Sequence, residues 1–341
     1  MWSLQGRALL DPFDGSITSN PIITFRDGKI HSLTSVPGVP LHTTNLFLLP
    51  GLADCHTHIT YSFTNGRFGW EDDDLQTSLN KAVENCIQTL KAGFTTIRNL
   101  GDSDGLDYIL RDNKVGPRML ISGEPITRSG QSFPTGVDVI KVFHEGQISS
   151  MSQIVNQAHQ LGLPVSVHAY SPKSILDSVQ AGCNSIEHGT FFDEKCAQKM
   201  ARRQVMLVPT LSLPHHYLSH RSQFNFKPEQ WQHFERMASQ GAQSFQLARR
   251  YQVPIAFGTD AIAGMHGQNA NEFIYMNQAG MSPLECIQTA TVNAAKLLRC
   301  PIGRVIPGNF GDIIGVDSNP LEDLTTLQHV RMVIKDGKLQ L

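Results

Sequence analysis

Long apolar runs are missing from this 341-residue chain, and no stretch approaches the length of a membrane span. Charge is also scarce, at 17% of residues, and nearly balanced: 28 Lys and Arg face 30 Asp and Glu. With a formal net charge of −2 and no basic stripe, the electrostatic footprint of a nucleic-acid-binding protein is absent. The opening "MWSLQGRALLDPFDG" lacks both the basic and the apolar segment of a secretory signal. The six cysteines, at 55, 86, 183, 196, 286 and 300, form no C-x-x-C pair and no disulfide-like spacing. These absences lead us to expect a reduced, cytoplasmic protein with cysteines as core filler, no membrane and no nucleic-acid partner. No repeat of 20–50 residues and no low-complexity tract is present either.

What is present is a change of pattern along the chain. Residues 1–48 read as short strands and turns, with "PIITFRDGKIHSL" signalling a hairpin around Asp27-Gly28. The far end repeats the device in "VRMVIKDGKLQL", around Asp336-Gly337. Two such hairpins, each too short to fold alone, are expected to pack together as one small β-sandwich domain built from 1–48 and 303–341. Between them strands alternate with helices, the mark of parallel βα units. The strand candidates are "LPGLADCHTH", "GFTTIRNLG", "PRMLISG", "VDVIKVF", "LPVSVHAY", "NSIEHGT", "VMLVPTL" and "VPIAFGTDA". Helices are expected over 77–92, 149–161, 171–181, 192–203, 227–251 and 282–299, the last capped by Ser282. Eight strands with helical crossovers predict an α/β fold of the (β/α)8 TIM-barrel type over 49–302. The link "EPITRSGQSFPTG" is too rich in Gly, Ser and Pro for a helix, so this barrel should lack one outer helix.

The residues that fit a structural role least well cluster at strand ends. His56 and His58 in "CHTH" share a strand face, being two apart. By itself the pair admits two readings, metal ligands or hydrogen-bonded polar residues. Cys55 points to the opposite face and is not counted as a ligand. The fourth strand carries Lys141 among apolar neighbours, the fifth ends at His168, the sixth at His188 and the eighth at Asp260. Each histidine alone could be a satisfied core or surface residue, and Asp260 could cap a helix. A lysine in an apolar strand is harder to place structurally, because an unpaired buried ammonium costs several kcal/mol. All six fall at the C-terminal mouth of one barrel, where barrel enzymes work.

This ordered set, H-x-H, Lys, His, His and Asp, resembles the amidohydrolase superfamily of metal-dependent hydrolases. "GFTTIRNLG", "VHAY", "AGCNSIEHGT", "GTDA", "HGQNANEF" and "GMSPLECIQTATVNAAKLL" are similar to the branch holding Xaa-Pro and Xaa-Arg dipeptidases and imidazolonepropionase-like proteins. "GRVIPGNFGDIIGVDSNPLEDL" is similar to that branch's return into its small β domain. The resemblance implies that His56, His58 and Asp260 hold one divalent ion, and that His168 and His188 hold a second. Lys141 would bridge them as a carbamate formed with CO2. Imidazole and carboxylate ligands suit Zn best, with Mn, Co or Fe as alternatives. The implied reaction is hydrolysis of an amide-type C–N bond in a small molecule, a dipeptide or N-acyl amino acid. A metal-bridging hydroxide attacks, and Asp260 serves as general base and then acid.

For substrate contacts the candidates are Tyr170, on the same strand face as His168, together with His144 and His266. The stretch "SLPHHYLSH" reads as a solvated loop after the seventh strand. Two departures from the branch stand out: "ITRSGQSFP" carries no histidine, and "FHEGQ" replaces a Gly-Gly stretch. Dipeptidase specificity therefore does not transfer directly. Two other readings stay open: a mononuclear cyclic amidohydrolase or deaminase with an unmodified Lys141, and a non-catalytic barrel serving as a binding scaffold. Self-association is left open.

Overall fold

The computed structural model describes residues 1–34, 41–61, 63–64, 67–68, 74–102, 105–262 and 264–341. Its centre is parallel. Leu52–Thr57, Phe94–Asn99 and Arg118–Ile121 form one parallel sheet. Ile140–Phe143, Val165–Ala169, Ser185–His188 and Met206–Val208 form another. Nearly every residue of these strands is buried, as expected where helices cover one face and a packed interior the other. Ile126, just past the third strand, bridges to Val142 in the second sheet. On the other side the segment 253–261 runs between the sheets, bridging Leu207 through Ile255 and Thr57 through Ala261. The architecture is a TIM-barrel-like α/β fold.

The eighth strand candidate, "VPIAFGTDA", is extended but builds no continuous ladder. Pro254 has no N–H to donate, and Gly258 sits where a Cβ would lie 2.2 Å from Val208 Cγ1 and 2.9 Å from His56 Cβ. That glycine lets the segment press against the strand bearing His56. "LPGLADCHTH" likewise is two strands, Phe47–Pro50 and Leu52–Thr57, separated at Gly51. The outer helices Leu75–Lys91, Met151–Gln160, Pro172–Ala181, Glu194–Arg203 and Pro228–Arg250 lie close to the expected spans. No helix occurs between Ile121 and Ile140.

Other expectations need correction. The predicted helix 282–299 is two helices, Pro283–Thr289 and Val292–Leu298. The break has a cause: the Ala290 carbonyl accepts from the backbone N of Ala53 (2.8 Å), and Thr291 adopts φ −127°, ψ −95°. "SLPHHYLSH" is not a loop but carries the helix Ser212–Ser219, and two short helices, Leu106–Asp112 and Asn271–Gln278, were not expected.

The chain ends interleave. A four-stranded sheet orders Lys29–Thr34, Ile22–Arg26, Trp2–Gln5 and Leu41–Thr43. A six-stranded sheet joins Met332–Lys335, Ile313–Val316, Phe47–Pro50 and Ala8–Leu10 between short edge strands. Alternate residues of the second sheet serve two cores. Leu48, Ile313 and Ile334 pack with Leu4, Ile23 and Phe25 of the first sheet, whereas Leu49, Ile314 and Val333 join the main core. Both D-G turns have positive φ at both central residues (50° and 78°; 50° and 65°), the primed-turn geometry. Gly311 joins them, donating to Gly28 O and accepting from Gly337 N, each at 2.8 Å.

Candidate metal centre

The parallel strands deliver the six singled-out side chains to one buried place. His56 Nε2 and His58 Nε2 lie 3.3 Å apart, and the two approach Asp260 Oδ1 at 3.3 and 3.1 Å. His188 Nδ1 is 3.9 Å from Asp260 Oδ2, and the His168 and His188 rings are 4.7 Å apart. His56, His188 and Asp260 by themselves bring one ligand atom each within 4.8 Å of one another. Three strand ends are turned to achieve this: His188, Asp260 and Thr210 take φ of 68°, 56° and 51°. A non-glycine residue there costs roughly 1–2 kcal/mol, and such outliers gather at functional sites.

Lys141 Nζ is buried and has no hydrogen-bond partner. Burial pulls its amine down to about 8, against the upward pull of Glu187 and Asp260. Burial likewise drives His188 down to about 3 and His168 well below the usual histidine range. For Asp260 burial acts upward but loses: His56, His58 and His188 hold the carboxyl well below the usual range. His58, His168 and His188 are thus all held toward the neutral form by burial, beside an ionised carboxylate, which is what cation binding requires.

A layer behind these residues was missed in the sequence. Glu187, fully buried, accepts from His56 Nδ1 (2.8 Å), Arg98 Nη2 (2.9 Å) and Ser166 Oγ (2.8 Å). With Nδ1–H donated to Glu187, His56 keeps Nε2 for the cavity, the usual way an outer carboxylate orients a ligand histidine. Thr210 does the same service for His188, its Oγ1 lying 2.8 Å from Nδ1. Asp54 ties the first strand to the segment bearing Asp260, accepting from Thr259 Oγ1 (2.6 Å) and Asn269 Nδ2 (2.9 Å). Asn269 belongs to the "HGQNANEF" motif. Arg98 and Glu187 are charged residues inside apolar strands, the same signal that marked Lys141.

Above the centre opens a cavity of about 690 Å³. Tyr170 lines it, its ring 5.1 Å from that of His188. The other two substrate candidates do not reach it. His144 follows the outward alternation of its strand and faces Asp177 (3.8 Å) on an outer helix. His266 lies behind the first strand, its Nδ1 3.1 Å from Thr89 Oγ1. The new residue in "FHEGQ", Glu145, accepts from Tyr170 N (2.5 Å) and lies 3.7 Å from His168 Nε2.

Fold and centre together define a hydrolase of the amidohydrolase class. The pattern of the Amidohydrolase family matches residues 47–339, and the chain belongs to that family. It is a hydrolase acting on carbon–nitrogen bonds, and divalent metals are general in the family. Ochratoxinase of Aspergillus niger is 26% identical over 97% of this chain and 85% of that protein. The crystal structure of a Xaa-Pro dipeptidase with bound methionine in the active site is 28% identical, covers 99% of both chains and superposes with a TM-score of 0.89. Adenine deaminase 1 of Desulfotalea psychrophila is 24% identical over 92% of this chain and 52% of that protein. Among the described residues no helix is long and apolar enough to cross a membrane.

Proposed function

We propose that the chain hydrolyses an amide-type C–N bond in a dipeptide-like or N-acyl amino acid-like substrate, using divalent metal. The carrying observation is the partnerless Lys141 amine, set among four imidazoles and one carboxylate at the floor of an apolar cavity. An ammonium serving only structure would keep a counter-ion and hydrogen-bond acceptors there. The donor set fits cations: His56, His58 and Asp260 for one ion, His168 and His188 for another, zinc before manganese, cobalt or iron. Lys141, as its neutral amine, could take up CO2 with loss of a proton, and the resulting carbamate would add an anionic oxygen ligand to the set. Bound there, the ions would supply Lewis acidity and acidify water toward a pKa of about 7.

The chain's own residues do the rest. Asp260 stays ionised beside the histidines, so it can accept the attacking water's proton and return it to the leaving nitrogen. Glu187 holds His56, Thr210 holds His188, and Tyr170 offers its ring or hydroxyl to the substrate. The names of the relatives, an ochratoxinase and a Xaa-Pro dipeptidase, agree with amide-type bonds. In this reading residues 49–302 form the catalytic (β/α)8 unit, with 1–48 and 303–341 as the small β-sandwich domain.

A second reading has its own observation. His56, His188 and Asp260 alone make a one-ion set, and one relative is a deaminase. Metal content separates the two. Protein expressed with added zinc should carry about two ions per chain, falling in Lys141→Ala that keeps its circular dichroism. One ion, unchanged by the substitution, would discard the dinuclear mechanism and turn the search to ring-opening and deamination substrates.

A further inference from the structure

Helix Pro228–Arg250 presents Gln230, His233, Phe234 and Met237 to the cavity, at the i, i+3, i+4, i+7 spacing of a single face. That face is graded: its polar residues stand near the helix start, and Phe234 and Met237 lie one and two turns further on. Leu213 of the helix Ser212–Ser219 and Ile262, two residues past Asp260, complete an apolar wall in the same cavity as the metal-binding residues. Leu213, Phe234, Met237 and Ile262 are each less than a tenth exposed, and all belong to one apolar cluster. Among the described residues lining the cavity, Lys141 is the only Lys or Arg, and Glu229 is the only carboxylate besides Asp260.

We infer that this wall is a specificity subsite for a large, uncharged, apolar side chain, aromatic or branched aliphatic, next to the scissile bond. A carboxylate placed against it would be stripped of water with no Lys or Arg on this wall among the described residues to meet it, and Glu229 would repel it. A glycine or alanine side chain would leave part of the wall unfilled. Leu213, Phe234 and Met237 sit on two helices, with Ile262 alone on a loop, so most of the subsite is preformed. The inference rests on the amide-hydrolase reading and names the substrate class of that site.

The test is a matched series of N-acetyl amino acid amides bearing Phe, Leu, Gly and Asp side chains, offered to the metal-loaded full chain. Binding is read by saturation-transfer NMR and cleavage by product release. We expect Phe and Leu to exceed Gly and Asp by roughly ten- to hundredfold, the range hydrophobic pockets give. In Phe234→Ala and in Met237→Ala the Phe-to-Gly ratio should collapse by about tenfold or more. The ratio is internal to each variant, so a partial loss of folded protein cancels. Equal binding across the series, a preference for Asp, or no binding at all would overturn the subsite. Apolar-selective binding without any cleavage would leave the subsite standing and overturn the hydrolase reading instead.

Discussion

At the residue scale, the centre depends on groups that never touch the cavity. Glu187 is the clearest case, a carboxylate shared by Arg98, His56 and two serines at zero exposure. Burial opposes its charge, yet Arg98 and His56 hold it ionised, well below the usual range. Glu187→Gln keeps the shape but leaves the Arg98 guanidinium without its counter-charge. Breaking such a pair costs about 3 kcal/mol or more. Gln also keeps one acceptor oxygen where Glu187 uses two, so it cannot serve both His56 and the Arg98 side. Weakening the acceptor that orients His56 is typically worth ten- to hundredfold in metal affinity. We expect both losses, read by denaturant unfolding and by competition against a chelator. A variant with intact affinity would show that Glu187 serves packing alone. The six singled-out residues were legible in sequence because each breaks the rule for its position: a polar or charged group within or at the end of an apolar strand. Glu187 and Arg98 break the same rule inside their strands, but their role shows only when the fold brings them together at 2.9 Å. His144 and His266 were assigned to the cavity from proximity in sequence, and strand alternation puts His144 on the other face.

At the scale of elements, what was readable followed from periodicity, and what was not followed from contacts between segments distant in sequence. The long helices announce themselves by spacing and caps, as at Asp74, whose carboxylate accepts from Thr77 N (2.7 Å). The break at Ala290 is invisible locally, because it exists to give a carbonyl to Ala53. The helix Ser212–Ser219 has the same kind of origin. Its first amides, Leu211 N and Ser212 N, donate to Glu272 at 2.8 and 2.7 Å. Burial raises the Glu272 carboxyl from 4.5 to about 7 in spite of those two bonds. The folded chain thus holds this proton more tightly than the unfolded chain does. Its contribution to stability is complete below about pH 4.5 and is lost as pH rises through about 7. The slope is at most about 1.4 kcal/mol per pH unit for one proton. Glu272→Gln should flatten the stability profile across that window, measured by urea unfolding at half-unit steps. An unchanged slope would mean that Glu272 is ionised throughout and that the two amides alone hold it.

At the scale of the whole molecule, the alternation of strands and helices gave the TIM-barrel-like centre, and the paired D-G turns pointed to contact between the chain ends. Sequence could not show how tightly the two regions are joined, since the joint is made of side chains more than a hundred residues apart. Arg118, in a central strand, donates through Nη1 to Asp312 Oδ2 (2.6 Å) and Thr96 Oγ1 (3.0 Å), and pairs through Nη2 with Asp336 of the second turn. Its guanidinium lies 3.5 Å from the centre of the Phe310 ring. The six-stranded sheet gives one face to the small cluster and the other to the main core, so separating the regions would expose Leu49, Ile314 and Val333 together. Unfolding should accordingly be a single calorimetric transition despite the length of the chain. Arg118→Ala strands the nearly buried Asp312 carboxylate and should cost about 2–3 kcal/mol, toward the low end for a buried pair because Arg118 keeps 18% exposure. The transition should move down by several degrees and remain single. Two resolved transitions in the unmodified protein would mean that the terminal sheets fold on their own account. Two transitions in Arg118→Ala alone would place the coupling in this one side chain rather than in the shared apolar face.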